Sequence, residues 1–393
     1  AMPKETLVPK EETVEAARRI ALRAVSACRI PGLGLKAGGH HFVDIWARDE
    51  LLALPGIVAS GQTLIAREAI YALLYYQRAD GLIPFRIQRS PLSYAKYKGR
   101  PTYFDIPRPN FRSRMNWGIG YVLDSGLLAT IASMDLFRET GSEIFRKSVD
   151  EPLSRSFSWY GTHFGDRLIT EWPYSEYADA TAKFGRVLYT NVLYARALSD
   201  YSYLTNNVNY LQQADRVKEK LNQTFWNGAF FSDWYDYKRQ DYFATHANLL
   251  AVVLGVARPD QAEKILAFAK EHCLAEFTLE TNYPAYPLSR RPIHHHFFGM
   301  PDYHNYKGML WLEPGLLYSL TLAKLGRTVE AEQTLTKVAK KIVEYGAVCE
   351  VYEQSGKPVK RSFYETERPF LRSAGLFLQA YCSLNHLAKS NQI

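Results

Sequence analysis

Apolar residues recur three and four positions apart in about twelve stretches of this chain, the spacing that gives a helix one buried stripe. The stretches are 11–28, 49–60, 62–77, 117–140, 143–158, 185–203, 207–224, 244–255, 258–272, 307–325, 327–345 and 370–388. GQT joins the second to the third, TGS the fourth to the fifth, and ARPD and LGRT join later pairs. Links that short predict antiparallel helix pairs. Between the pairs lie longer segments rich in Pro, Tyr, Trp and His: 78–116, 159–184, 225–243, 273–306 and 346–369. Long loops in a compact domain commonly carry function. Twelve helices in six hairpins predict an all-α fold, a single (α/α)6 toroid whose long loops form a pocket at one end. No linker or low-complexity stretch divides the chain, so 1–393 reads as one catalytic domain. Short strands are expected around 225–243 and 346–365.

Composition narrows this picture. A chain of 393 residues can bury a large core. Its 27 Tyr and 7 Trp raise the aromatic share to 14%. Aromatic faces stack on sugar rings, and they also fill ordinary cores. The net charge of +8 is spread along the chain with no long basic run, which favours a solvated surface over a nucleic-acid partner. No apolar run reaches the length of a membrane span, and the charged start AMPKETLVPKEETVEAARR lacks an apolar signal core. Cys28, Cys273, Cys349 and Cys382 show no paired spacing. These features predict a cytoplasmic protein with reduced thiols, no membrane partner and no cofactor.

Two acidic segments carry the candidate chemistry. EWPYSEYADATAKFGRVLYTNVLYARAL holds Asp179 just before a helix, and CEVYEQSGKPVKRSFYETERPFLRSAGLFLQAY holds Glu350 before a Gly-containing turn. Breaking a glycosidic bond takes two carboxyl groups: one protonates the leaving oxygen, the other activates water or attacks carbon. Glu171 and Glu176 compete with Asp179; Glu353, Glu365 and Glu367 compete with Glu350. Arg48 and Asp49 offer fixed donors and acceptors for neighbouring hydroxyls, or simply a charged helix start. His294, His295 and His296 are adjacent, which does not aim three imidazoles at one metal.

FVDIWARDELLALPGIVASGQTLIAREAIYALLYYQRADGLIPFRI resembles the glucosidase domain of glycogen debranching enzymes. The wider group takes in glucoamylases, trehalases, neutral invertases and family 63 glycosidases. The resemblance implies that Arg48 and Asp49 hold hydroxyls of the released sugar, with Trp46 beside them. WGIGYVLDSGLLATIASM is similar to the group's next inner helix and implies pocket roles for Asp124 and Trp117. YADATAKFGRVLYTN matches the debranching-type pattern of an Asp, a polar loop and Gly-Arg ahead of an Asn. It implies Asp179 as general acid, with Tyr177, Arg186 and Asn191 in the pocket. Tyr177 stands where the group usually has Trp. HNYKGMLWLEPGLLYSLTLAKLG implies substrate contacts for Trp311 and Glu313, although the group's GTVWPW form is absent. CEVYEQSG resembles the group's C-terminal base segment and implies Glu350 as general base.

The expected activity is an inverting, exo-acting glycoside hydrolase on a small, α-linked glucosyl substrate in a closed pocket. Two other readings stay open: a sugar isomerase or epimerase of the same fold using pocket histidines, and a non-catalytic carbohydrate-binding protein. A phosphorolytic enzyme would replace the base with phosphate ligands, and Glu350 argues against it.

Overall fold

A computed structural model describes residues 10–90 and 103–390. The charged start at 1–9, and residues 91–102 of the expected 78–116 loop, lie outside the described residues. The chain is mostly helical. The helices are α1 (Lys10–Cys28), α2 (Ala47–Ala59), α3 (Thr63–Tyr75), α4 (Asp124–Thr140), α5 (Glu143–His163), α6 (Leu188–Thr205) and α7 (Val208–Phe225). They continue as α8 (Thr245–Val253), α9 (Pro259–His272), α10 (Ile293–Phe297), α11 (Leu312–Lys324), α12 (Thr328–Tyr345) and α13 (Leu371–Ser390).

Two kinds of helix are present, and their sequences explain which is which. In α7 only Ala214, Val217, Leu221 and Phe225 are buried, a stripe at three- and four-residue spacing. In α12 the buried set is Ala331, Leu335, Thr336, Val338, Ala339 and Ile342. By contrast, α4, α6 and α11 are buried on nearly every side. Contacts run from α2 to α4, α6, α8, α11 and α13, and from α13 back to α2. Helices α3, α5, α7, α9 and α12 each lie against the member of that ring that precedes them in sequence, and α1 packs on α12 and α13. The ring closes tightly where α13 meets α2. A Cβ on Gly56 would stand 1.8 Å from the Gly375 carbonyl oxygen, and one on Gly375 would stand 2.3 Å from Ala53 Cα. Only glycine permits that approach.

Several inner helices start later than the apolar spacing predicts. The stretch from 117 becomes helical only at Asp124, that from 185 at Leu188, and that from 307 at Leu312. Short strands precede α2, α6, α8 and α11: Ile45–Trp46, Gly185–Val187, Phe243–Ala244 and Leu310–Trp311. Their backbone groups pair with loop strands instead of entering the helix. Gly185–Val187 sits between Thr170–Glu171 and Trp234–Tyr235. Leu310–Trp311 pairs antiparallel with Val351–Tyr352, setting Trp311 opposite Val351, next to Glu350. These strands bring loop residues to the starts of the inner helices. Strands do occur within 225–243 and 346–365, at Trp234–Tyr235, Arg239–Gln240, Val351–Tyr352, Lys360–Arg361 and Tyr364–Glu365. The five-residue α10 falls inside the expected loop 273–306. No helix among the described residues is long and apolar enough to cross a membrane.

Candidate active site

The first turns of the inner helices supply most of the charge. Arg48 and Asp49 open α2, Asp124 opens α4, Glu313 lies in the first turn of α11, and Arg372 opens α13. Carboxylates are favoured at helix N-termini, where unpaired N–H groups point outward. Arg48 ties three segments together. Its Nε donates to Asp124 Oδ2 at 2.5 Å, its Nη2 donates to the Ser175 carbonyl at 2.8 Å, and its Nη1 lies 3.8 Å from Asp179 Oδ2. Tyr189 donates to the same Asp124 oxygen at 3.2 Å. Arg372 bridges Glu313 (Nε to Oε1, 2.9 Å) and Asp49 (3.4 Å). Its guanidinium stands 4.5 Å from the Tyr177 ring centre and 5.5 Å from that of Trp311. Among the described residues, Asp124 Oδ1, Glu313 Oε2 and the Tyr177 hydroxyl are buried without a hydrogen-bond partner. Groups like these normally find a partner, so they are placed to receive hydroxyls or water.

Asp179 is the open member of the site, with its side chain 44% exposed. Burial of the carboxyl works to raise its proton affinity, but His304 and the Arg48 charge outweigh it and hold it below its ordinary value. His304 Nε2 lies 3.7 Å from Asp179 Oδ1, and its ring stacks on Trp311 with centroids 4.6 Å apart. Tyr177 stacks on His246 at 4.1 Å. Tyr177, His246, Tyr286, His304 and Trp311 help to line a cavity of about 10 Å³, room for about one water.

The competing acids are placed differently. Glu176 is buried, 2.9 Å from Lys183 Nζ and 3.5 Å from His246 Nε2. Burial raises its proton affinity, yet the Lys183 charge and the His246 contacts together more than reverse this, so it stays ionised. Glu171 is buried as well, and burial pushes its carboxyl up to about 8.

Glu350 is 1% exposed. The hydroxyls of Tyr303 and Tyr364 donate to its two oxygens, and the Glu367 amide adds a contact at 3.3 Å. Burial drives its proton affinity up to about 8 against these donors. Its rivals are otherwise engaged. Glu353 pairs with Arg361 at 2.8 Å and Glu365 with Arg368 at 3.2 Å. Glu367 accepts the backbone amides of Gly39, His40, His41 and Phe42 at 2.6–2.8 Å, and its Oε1 lies 2.6 Å from His40 Nδ1. With both oxygens saturated, Glu367 is a clamp on the loop ahead of α2.

A chain of contacts joins the two candidate carboxyls: Asp179 to His304, His304 to Trp311, Trp311 to Tyr303 (4.9 Å between ring centres), and Tyr303 to Glu350. Arg48, Asp49, Asp124, Tyr177, Trp311 and Glu313 therefore gather around Asp179. Trp46 packs on Phe42 and Phe85 with the Arg86 guanidinium 4.6 Å from its ring centre. The other three lie apart from this cluster. Trp117 is 90% exposed, with φ +61°. Arg186 faces solvent from its strand, over the Tyr235 ring. The Asn191 amide is spent on the backbone of Ile169 and Val187. His295 is partly buried against Tyr303, while His296 faces solvent.

Residues 19–104 match the family model described as amylo-alpha-1,6-glucosidase, a segment that includes Trp46, Arg48 and Asp49. No curated protein sequence matches the chain. Among solved structures, a glycosidase variant superposes with TM-score 0.66 at 14% identity, over 95% of this chain and 98% of that one. GH63 mannosylglycerate hydrolase from Thermus thermophilus, in complex with Tris, gives 0.66 at 12%, over 92% and 99%. A rhamnosidase from Klebsiella oxytoca with rhamnose bound gives 0.62 at 14%, over 94% and 63%. At these identities the likeness is one of fold. This chain has the fold of those glycosidases.

The residues missed in the sequence are those that act on other side chains: Tyr303, His304, Tyr364, Arg372, Lys183 and His246. Tyr303 and His304 close the run HHHFFGMPDYH, and no local signal separates them from the neighbouring histidines.

The Glu367 clamp has a testable consequence. Its hydrogen bonds to backbone amides and His40 depress its proton affinity even though burial raises it. A depressed carboxyl contributes stability above its unfolded value, near 4.5, and loses it as pH falls through the folded value. Glu367→Gln is expected to cost about 1.5–3 kcal/mol at pH 7, the worth of a hydrogen bond to a charged group. Urea unfolding at pH 7 and pH 4 should show the gap from wild type narrowing in acid.

Proposed function

We infer that the chain is a glycoside hydrolase in which Asp179 is the general acid and Glu350 the general base. The observation that carries this reading is the paired setting of the two carboxyls. One is partly open to solvent beside Arg48 and His304; the other is buried, bound by neutral donors, and joined to the first through Trp311 and Tyr303. The ring of α2, α4, α6, α8, α11 and α13 with its outer partners supports a six-hairpin (α/α)6 toroid acting as one domain. The arrangement and the family match favour a small, α-linked glucosyl substrate cleaved with inversion.

Asp179 is the carboxyl open to solvent, so the sugar ring is placed on its solvent side. Arg48, Asp49, Arg372 and Glu313 hold its hydroxyls. A sugar covering Asp179 strips its water, and desolvation favours the protonated form that a general acid needs. Asp179 then protonates the leaving oxygen while Glu350 takes a proton from the attacking water. Inversion requires the two carboxyls to stand about 6.5–9.5 Å apart, which leaves room for that water.

His246 and His304 beside the cavity favour a second reading, a sugar epimerase. Incubation with α-linked glucosides, mannosylglycerate and sucrose, with and without phosphate, separates the readings by product. Hydrolysis of a disaccharide is expected, with the product's anomeric configuration inverted by proton NMR. An epimerised monosaccharide, a sugar phosphate, retained configuration, or glycogen as the fastest substrate would each refute part of the proposal.

A further inference from the structure

Three buried carboxyls depart from the pattern of the rest. Asp44 has Arg86, Asp124 has Arg48, Glu176 and Asp233 share Lys183, and Glu313 has Arg372. Among the described residues Glu50, Glu171 and Glu350 have no cationic partner within ion-pair distance. Glu50 accepts only the Leu35 amide, and Glu171 has the Thr190 hydroxyl beside it. Glu350 alone has both oxygens bound, and both by phenol hydroxyls.

We propose that Tyr303 and Tyr364 are positioning residues that together aim the Glu350 carboxyl and favour its ionised form without a neutralising cation. This rests on the reading of Glu350 as the base. The two phenols reach it from different segments: Tyr303 from the loop ahead of α11, Tyr364 from the strand Tyr364–Glu365. Each is pinned by a further contact. The Tyr303 carbonyl accepts Trp311 Nε1 at 2.9 Å, and the Tyr364 ring stacks on His41 at 5.6 Å with planes 12° apart. His41 Nε2 in turn meets the Glu365 carbonyl at 3.0 Å. Both hydroxyls are therefore held in place before substrate arrives, and a two-point hold fixes the rotation of the carboxyl plane.

The chemistry fits a base. An arginine in contact would keep the carboxylate ionised but would also drain its basicity. Bare burial would leave it protonated. A hydroxyl donor favours the ionised form by a smaller amount and adds no charge, so a proton acceptor of high affinity survives. Of the other titratable groups around Glu350, Glu367 opposes its charge and Cys349 is a buried neutral thiol. His41, His295 and His304 stand behind the phenols. Phenylalanine at either position would keep the packing and delete only the donor.

The test is infrared difference titration of the protonated-carboxyl band, with Glu350→Gln identifying the Glu350 signal. It needs no substrate. Tyr303→Phe and Tyr364→Phe should each move that titration up by about one pH unit or more, the shift expected from losing one hydrogen bond to an ionised group. With the disaccharide cleaved fastest, the limb of kcat/KM that tracks Glu350 should move by the same amount, and turnover should fall about tenfold or more. Two variants guard against one failing to fold. An unmoved titration in the folded variants, or an equal loss at every pH, overturns the positioning role. Near-normal activity in Glu350→Gln overturns instead the base assignment on which it rests.

Discussion

Asp179→Asn and Glu350→Gln are each expected to lower turnover by at least about 10²-fold, the usual worth of a positioned proton-transfer group. Both changes are nearly isosteric. Asp179 has its side chain 44% exposed, and its partners His304 and Arg48 keep their contacts to Trp311 and Asp124 without it. Stability should change little there. The two losses should fall far short of additive, because both groups serve one bond-breaking event. The variants should also separate by substrate. Asp179→Asn should recover on aryl glycosides or glycosyl fluorides, whose leaving groups need little protonation. Glu350→Gln should stay slow on every substrate, since water must always be activated. Steady-state kinetics on a disaccharide and a fluoride decides it. Full activity in Glu350→Gln, with a loss in Glu353→Gln, would reassign the base. If neither carboxyl matters and His304 does, the epimerase reading takes over.

The outer helices were legible because a one-sided helix writes its burial into the sequence. Ala214, Val217, Leu221 and Phe225 are spaced so that only a helix can bury all four on one face. The inner helices, buried all round, carry no such stripe, and their starts were misplaced. Leu310 and Trp311 look helical, but their backbone pairs with Tyr352 and Val351, about 40 positions away. No local pattern reports that partner.

Arg186 shows the same limit at the site. A helix starting at 185 would turn it inward, but the observed strand alternates, burying Val187 and sending Arg186 to solvent. Asn191 is deeply buried, yet its amide answers backbone groups of the neighbouring loop, a use indistinguishable in sequence from a sugar contact. Arg48 and Asp49 could be singled out only because the whole segment around them, from Trp46 through the Leu-Pro-Gly helix to GLIP, resembles the debranching-type glucosidases; the pair alone reads as a charged helix start. Arg372 could not, since its meaning comes from Asp49 and Glu313, which reach it only through the closure of α13 on α2 and α11.

Lys183→Met is expected to produce the largest loss of stability, about 3–5 kcal/mol at pH 7, the cost of removing one partner from a buried ionic group. Lys183 is fully buried, with Nζ 2.9 Å from both Glu176 Oε1 and Asp233 Oδ2. Tyr286 closes the cluster, donating to Asp233 Oδ2 at 2.5 Å. One cation thus serves two carboxyls, and its loss leaves like charges facing each other away from water. The sign with pH follows from Glu176, where burial raises proton affinity but the Lys183 charge and the His246 contacts together outweigh it and depress it. That contribution is present above the ordinary value of 4.5 and fades as pH falls. The gap between wild type and variant should therefore shrink on acidification below that value, which urea unfolding at pH 7 and pH 3 will show. Adding Glu176→Gln and Asp233→Asn to Lys183→Met should restore much of the loss, since the stranded charges are then gone. Activity should not return with stability. Glu176 also accepts the Ala178 amide at 3.0 Å, so the lysine fixes the turn that carries Asp179, and a neutral triple variant holds that turn less firmly. A triple variant as active as wild type would reduce Lys183 to a purely structural part.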